Sequence, residues 1–127
     1  MTLENRYYRI TDSESHGDND ATFHVSLIPD CDVYKGHFPD KPVCPGVCNI
    51  DTIIECAEKL TGCALRIVSI KQCRMLSVAT PYDTPHMTIC ITMSKSDDDK
   101  YVIVADIKHD DTAIMTFKGI LEKKSSI

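Results

Sequence analysis

Apolar and polar residues alternate along several stretches of the chain, and this pattern predicts β-strands. In ATFHVSLIP, Phe23, Val25 and Leu27 alternate with polar neighbours, which is the period of a half-buried strand. HMTICITMSKS repeats the pattern, and the segments RIVSIKQCRML, YVIVADIKH and TAIMTFKGILEK also favour strands. Turn signals such as SDDDK and the pair at 110–111 separate the later strands, which favours antiparallel neighbours.

One segment, PGVCNIDTIIECAEKLTG, has the helical period instead. Its apolar positions form two adjacent helical rows, one with Val47, Ile50, Ile54 and Ala57 and the other with Ile53, Cys56 and Leu60. Pro45 suits the first turn of such a helix, and Gly62 suits the position just past its end. A helix that is apolar over so much of its circumference is expected to be largely buried.

These elements predict an α+β fold in which one antiparallel sheet covers one long helix. The polar run TDSESHGDND, residues 11–20, predicts a loop between strands. The length of 127 residues favours a single domain over residues 1–127. A sheet wrapped around one helix leaves strand edges and apolar surface, so a partner subunit is expected.

Composition and charge exclude several classes of function. The apolar and charged fractions, 43% and 26%, are ordinary for a globular protein. The net charge of −5 argues against nucleic acid as a partner. No apolar run approaches the roughly 20 residues that span a bilayer, and MTLENRYYRITD lacks the apolar region of a signal peptide. We therefore expect a cytoplasmic protein that does not bind membranes.

The cysteines could suggest disulfides or a metal site. They are Cys31, Cys44, Cys48, Cys56, Cys63, Cys73 and Cys90. Their number is odd and several fall on apolar faces, so we interpret most of them as small buried hydrophobes. Cys44 and Cys48 with His37 nearby could suggest zinc, but no second ligand pair follows downstream. The sequence therefore predicts neither a metal nor a cofactor.

A possible acid–base pair stands out in the segment around the start of the helix. Asp51 lies four residues after Val47 and three before Ile54, which predicts that it is on a core-facing row. An ionised carboxylate there is unfavourable without a partner. Asp51 alone could be structural, and His37 alone could be a surface histidine. As a pair joined by a loop rich in proline and glycine, they could supply a base and an acid.

The segment GHFPDKPVCPGVCNID, residues 36–51, resembles the active-site segment of the 3-hydroxyacyl-[acyl-carrier-protein] dehydratases of fatty acid and polyene synthesis. Those enzymes have Gly-His-Phe-Pro, then a proline, then Pro-Gly at the start of the helix, and an acid fourteen residues after the histidine. The matching residues here are His37, Phe38, Pro39, Pro42, Pro45, Gly46 and Asp51. The resemblance implies the hotdog fold, an antiparallel sheet wrapped around one long central helix, over nearly the whole chain.

The resemblance also implies a mechanism, the elimination of water from a 3-hydroxyacyl thioester. In the family the histidine removes the proton next to the carbonyl and the acid assists departure of the hydroxyl, which assigns these roles to His37 and Asp51. The backbone N–H of Gly46 would donate to the thioester oxygen, as suits a helix N-terminus. The expected substrate contacts are Phe38, Pro45, Val47, Ile50 and Ile54.

Partners follow from the same resemblance. The substrate would be linked to the phosphopantetheine of an acyl-carrier protein, and the histidine and acid would come from opposite subunits of a homodimer or a larger oligomer. Because an acyl-carrier protein is acidic, docking would need a local basic patch. The candidates for this patch, which could equally be ordinary solvated charges, are Lys35, Lys41, Lys71 and Arg74.

Three departures from the family pattern refine this interpretation. The acid is Asp51, whereas enzymes dedicated to dehydration usually have glutamate. Asp40 stands where glycine is frequent, and only about 20 residues precede the first strong strand pattern. The short N-terminal part favours a member of a specialised pathway. A hotdog thioesterase, which would use the carboxylate to activate water, and a non-catalytic acyl-binding protein remain alternatives.

Overall fold

A computed structural model describes residues 2–35, 43–97 and 99–124 of the chain. Its elements are β1 (Tyr8–Ser15), β2 (Asp20–Leu27), a short 3-10 helix (Asp32–Tyr34), α1 (Gly46–Thr61), β3 (Leu65–Met75), β4 (His86–Asp97), β5 (Lys100–His109) and β6 (Thr112–Lys123). The six strands form one sheet in the order β1-β2-β4-β5-β6-β3. Every neighbouring pair in it is antiparallel. The predicted α+β arrangement is confirmed.

The core lies between the helix and one face of the central strands. Apolar residues on this face lie opposite one another across strands, as with Phe23 of β2 and Ile89 of β4. Ile89 in turn pairs with Ile107 of β5. These three side chains are buried, and so is Ile53 on the facing side of α1. The alternation predicted for β2 and β4 is confirmed, because a strand places successive side chains on opposite faces.

The ends of α1 follow local rules of helix termination. The helix begins at Gly46, with Pro45 as the N-cap in an extended conformation. Pro45 therefore lies one position before the first turn. Gly62 adopts a left-handed conformation with φ 72°, and its N–H donates to the carbonyl of Glu58. The position predicted for Gly62 is thus confirmed, since glycine enters this conformation without the steric cost of a side chain.

Strand β1 corrects the prediction of a loop over residues 11–20. Residues 11–15 belong to β1, where Ser13 lies opposite Phe23 and Ser15 opposite Ala21 of β2. Most side chains of β1 are exposed. Backbone pairing with β2 therefore holds this strand without a row of apolar side chains, and the polar pattern gave no indication of it.

The environment of Asp51 corrects a second prediction. Asp51 is exposed and Val47 on the same row is 65% exposed, so the N-terminal part of this row does not face the core, whereas Ile54 and Ala57 further along it are buried. Ile53 and Cys56, on the neighbouring row, are fully buried. The reason is the strand order: β3 forms the sheet edge beside Asp51, and no further strand follows it in the described part of the chain.

The edge strand β3 is unusual in its exposure. Only Leu65 of its residues is buried, and the exposed ones include Ile67, Val68, Ile70 and Met75. Two register shifts interrupt its pairing with β6. Such a strand leaves apolar side chains and backbone groups available for a partner.

Two further findings concern the cysteines and the helices. Cys44, Cys48 and Cys56 are buried, whereas Cys73 is exposed and the remaining three are partly buried. Only three of the seven are buried, so the interpretation of most cysteines as small buried hydrophobes does not hold for the other four, because the strands and loops that carry them lie near the surface. No helix among residues 2–35, 43–97 and 99–124 is long and apolar enough to cross a membrane.

Candidate active site

Asp51 lines a groove between α1 and β3. The groove has a volume of 290 Å³. Its apolar side chains are Ile54, Leu65 and Ile67, and its charged ones besides Asp51 are Glu55, Glu58, Arg66 and Lys124. A carboxyl group beside an apolar surface and near cationic side chains is a setting in which an acid can meet an acyl substrate.

Three carboxylates follow one another along this side of α1, but they have different partners. Glu55 accepts hydrogen bonds from the backbone N–H of Leu3 at 2.8 Å and from the hydroxyl of Tyr8 at 2.8 Å. Glu58 accepts from the N–H of Leu65 at 2.8 Å. The carboxyl of Asp51 makes no hydrogen bond to a described residue. Glu55 and Glu58 therefore hold the fold together, and Asp51 is left available for chemistry.

The electrostatic environment favours a proton on Asp51. Partial burial raises the pKa of its carboxyl above the ordinary value, and the carboxylate of Glu55, four residues later, raises the pKa further. An acid that keeps its proton closer to neutral pH is better suited to protonate a leaving hydroxyl.

The N-terminus of α1 provides a possible donor site. The N–H groups of Cys48 and Asn49 donate to the carbonyl of Pro45, at 3.1 and 3.2 Å, so the N–H of Gly46 lies ahead of the hydrogen-bonded turn. Met75 lies against Gly46, because a Cβ built on that glycine would be 3.4 Å from the Met75 methyl carbon. A larger residue in place of Gly46 would therefore press against Met75.

A buried polar cluster behind the helix start was missed by the sequence analysis. The Tyr7 hydroxyl donates to Asn49 Oδ1 at 2.7 Å. The Tyr34 hydroxyl and the Cys44 thiol lie 3.4 Å apart, within hydrogen-bonding distance. Burial raises the pKa of the Tyr7 hydroxyl and of the Cys44 thiol, which keeps both protonated. The available signal was an asparagine between apolar residues in the first turn of the helix.

The other residues predicted for the site differ in whether the structure describes them and in whether they lie near Asp51. His37, Phe38 and Lys41 lie outside the described residues. Ile54 contacts the groove of Asp51, whereas Ile50 and Pro45 are partly buried. Of the basic residues, Lys35 pairs with Asp32 at 3.1 Å, and Lys71 and Arg74 are both exposed on β3.

Comparison with known proteins identifies the family. The family model of the ApeI dehydratase, named ApeI-like, matches residues 13–116. The chain belongs to the ApeI-like dehydratase family. The matched region includes both Asp51 and the helix start at Gly46. None of the curated proteins gives a significant match in sequence.

Solved structures confirm the hotdog fold of this ApeI-like chain. The dehydratase heterocomplex ApeI:P from Xenorhabdus doucetiae is 22% identical, with a TM-score of 0.74 over 91% of this chain and 97% of that one. A hypothetical thioesterase with coenzyme A from Streptococcus pneumoniae TIGR4 is 10% identical, with a TM-score of 0.66 over 94% and 87%.

The PaaI protein of the phenylacetic acid degradation operon of E. coli is also similar. It is 12% identical, with a TM-score of 0.68 over 98% of this chain and 84% of that one. Likenesses at such low identity establish the fold alone. The dehydratase activity is instead a property of the family to which the chain belongs.

Proposed function

We propose that the protein removes water from a 3-hydroxyacyl thioester carried on an acyl-carrier protein, which gives the trans-2-enoyl thioester. The observation that carries this proposal is Asp51, an acid with a raised pKa in a groove lined by both apolar and charged side chains, whose carboxyl makes no hydrogen bond to a described residue. Family membership supports the class of reaction, and the matched motif supports the substrate.

In the proposed reaction His37 takes the proton from the carbon next to the carbonyl. Negative charge then develops on the thioester oxygen, where the N–H of Gly46 stabilises it at the positive end of α1. The bond between the third carbon and its hydroxyl breaks, and Asp51 protonates the departing oxygen, directly or through a water molecule. The products are one enoyl thioester and one water molecule, and the base and acid then exchange protons with solvent.

The proposed site is completed by a second subunit. Among the described residues β3 pairs with β6 alone, which leaves its other edge unpaired, and Ile67, Val68 and Ile70 of this strand are exposed. We expect a second copy to cover this edge and to bring its His37 to Asp51. A different subunit is the alternative, as the heterocomplex of the similar ApeI:P structure illustrates.

Carrier-protein docking is proposed at Lys71 and Arg74, which are exposed on β3. Lys35 is a weaker candidate because Asp32 neutralises it. Charge reversal at Lys71 and Arg74 should raise KM for the carrier-bound substrate and leave KM for the coenzyme A thioester unchanged. Equal effects on both substrates would contradict docking at this strand.

The test of the activity follows enoyl product and free acid by mass spectrometry. Purified protein is mixed with 3-hydroxyacyl thioesters on carrier protein and on coenzyme A. We expect wild type and the control variants His16→Ala and Asp83→Asn to form enoyl product. His37→Ala and Asp51→Asn should form none. Free acid without enoyl product would indicate the thioesterase alternative, for which the similar structure with coenzyme A gives some support.

The shared site has its own test. His37→Ala and Asp51→Asn proteins are mixed and allowed to exchange subunits. If base and acid come from opposite copies, hybrid dimers contain one intact site, and random exchange should restore about a quarter of the wild-type activity. If the activity does not recover after subunit exchange has been verified, either both groups come from one subunit or the complex contains a different kind of subunit.

A further inference from the structure

A second pocket lies beside the start of α1, away from the groove of Asp51. Val43 and Cys44 line one side, residues 75–79 line the other, and Asn49 is the polar side chain contributed by the helix. The pocket has a volume of 200 Å³, the space of about seven water molecules. It is too small for a whole acyl-carrier substrate, so it suits one segment of a longer ligand.

Asn49 is a buried donor with no protein partner in the described part of the chain. Its side chain is 1% exposed, and its Nδ2 makes no hydrogen bond to a described residue. Its Oδ1 accepts a hydrogen bond from the Tyr7 hydroxyl at 2.7 Å, which leaves Nδ2 as the unpaired end of the amide. Buried polar groups are nearly always hydrogen-bonded, so an unsatisfied amide in a pocket wall points to a ligand.

The other walls of the pocket narrow the chemistry of that ligand. One backbone donor on each side is already used, since the N–H of Cys44 donates to the Ala79 carbonyl at 2.8 Å and that of Leu76 to the Ile114 carbonyl at 2.8 Å. No charged side chain is among the described residues that line the pocket. A neutral, mainly apolar segment that presents a hydrogen-bond acceptor would fit these walls.

We propose that this pocket receives a carbonyl group of the pantetheine-linked substrate, whose oxygen accepts a hydrogen bond from Asn49 Nδ2. A carbonyl fits because it brings an acceptor without a donor of its own that would need a partner. Side chains on a helix lean toward its N-terminus, so Asn49 reaches toward the turn that begins at Gly46. The inference rests on the proposed function and deepens it by adding a binding residue.

Two carbonyl sources share this chemistry, the thioester itself and the amides of the pantetheine arm. Asn49 and Asp51 are two positions apart, about 200° around the helix, so they serve different parts of the ligand. Asn49 would therefore contribute to binding and orientation, and the proton transfers would stay with His37 and Asp51.

The first experiment observes Asn49 directly. The chain has three asparagines and one glutamine, so an NMR spectrum of the ¹⁵N-labelled protein contains few side-chain amide signals. Butyryl-pantetheine has no 3-hydroxyl and cannot be dehydrated. We expect it to shift the Asn49 amide signals and to leave those of Asn5 and Asn19 nearly unchanged. Unshifted Asn49 signals at saturating probe, as expected if bound water or another part of the chain already satisfies the amide, would overturn the proposal.

Two further probes distinguish the carbonyl sources. S-butyl-pantetheine lacks the thioester carbonyl but keeps the amides, whereas S-ethyl thiobutyrate keeps the thioester and lacks the amides. A shift of the Asn49 signals by the first probe alone assigns the contact to the pantetheine arm, and a shift by the second alone assigns it to the thioester. A shift by neither, with binding shown at other signals, contradicts a carbonyl contact.

A substitution then measures the contribution of the amide. Asn49→Leu should weaken binding of butyryl-pantetheine by about three- to tenfold, as the loss of one neutral hydrogen bond implies. The control Thr52→Val changes another buried polar residue of α1, whose hydroxyl bonds within the helix, and should alter binding less than twofold. Equal affinity of Asn49→Leu and wild type would contradict the proposal.

The outcomes separate this inference from the proposed function. Dehydration by wild type with unchanged affinity in Asn49→Leu would refute the role of Asn49 alone. A shifted Asn49 signal in a protein that forms no enoyl product would refute the activity alone. Since the NMR experiment uses wild-type protein, it stays decisive even where Asn49→Leu fails to fold.

Discussion

The N-terminal part of one side-chain row on α1, with Val47 and Asp51, has the opposite environment from the neighbouring row, with Ile53 and Cys56. Ile53 and Cys56 are fully buried against the sheet, whereas Val47 and Asp51 lie exposed beside the edge strand β3. Both rows contain apolar residues, so hydrophobicity alone does not separate them. The difference shows that one helix can stabilise the fold on one side and leave the other side for substrate and partner.

The largest expected effect concerns the exposed row. Asp51→Asn should lower kcat/KM for dehydration by about 10²- to 10⁴-fold, because it removes the proposed general acid. The unfolding temperature should not fall, since the Asp51 carboxyl makes no hydrogen bond to a described residue. Kinetics and thermal unfolding of the same samples test both statements, with Asp83→Asn as control. Activity within threefold of wild type would remove Asp51 from the mechanism.

The buried row should respond in stability instead. Ile53→Ala should lower the free energy of unfolding by about 2–5 kcal/mol, because it leaves a cavity in the core. Val47→Ala, on the exposed row, should change it by less than about 0.5 kcal/mol. Urea unfolding of both variants measures the contrast. Similar losses for the two substitutions would mean that a partner buries Val47 in solution.

Gly119 tests how closely β3 approaches its neighbour. A Cβ at this position of β6 would lie 2.8 Å from the carbonyl oxygen of Ser69 in β3. Gly119→Ala should therefore displace β3 and destabilise the fold by about 1–3 kcal/mol, as overpacking does. Because β3 forms one wall of the groove of Asp51, turnover should fall as well. Unfolding in urea and turnover of the folded fraction provide the measurements, and a variant normal in both would refute this close approach.

The smallest expected effect is the pH dependence of stability. The pKa of Asp51 is raised in the folded state, so the folded protein binds more protons than the unfolded chain between the ordinary and the raised value. Stability should fall as pH rises through that window, and the penalty is complete above the folded-state pKa. Asp51→Asn should therefore unfold at a higher temperature than wild type at pH 7 but not at pH 3. A difference that is equal at the two pH values would contradict a raised pKa.

Local patterns carried much of the prediction. The alternation in β2 and β4 and the stop at Gly62 depend on neighbours within a few residues, and the structure confirms each of them. The motif ending at Asp51 indicated the dehydratase class, which the family match confirms. The assignment of His37 and Asp51 as a catalytic pair stays a prediction.

Long-range pairing decided the features that the sequence analysis missed. Strand β1 consists mainly of exposed residues and depends on its backbone bonds to β2. Asn49 is buried because Tyr7, 42 positions earlier in the chain, comes to lie beside it. No periodicity within a single segment contains such information, since it arises only when distant segments meet.

The sequence by itself determined which segments become strands or helix and which residue types could supply an acid and a base, since propensity, period and motif spacing are local properties. The tertiary structure decided which side of α1 stays open. Pairing of β3 with β6 places β3 at the edge of the sheet, and this makes Asp51 accessible although it lies in an apolar helical row. A sequence pattern reports which side chains share a face, whereas the order of the strands decides what that face meets.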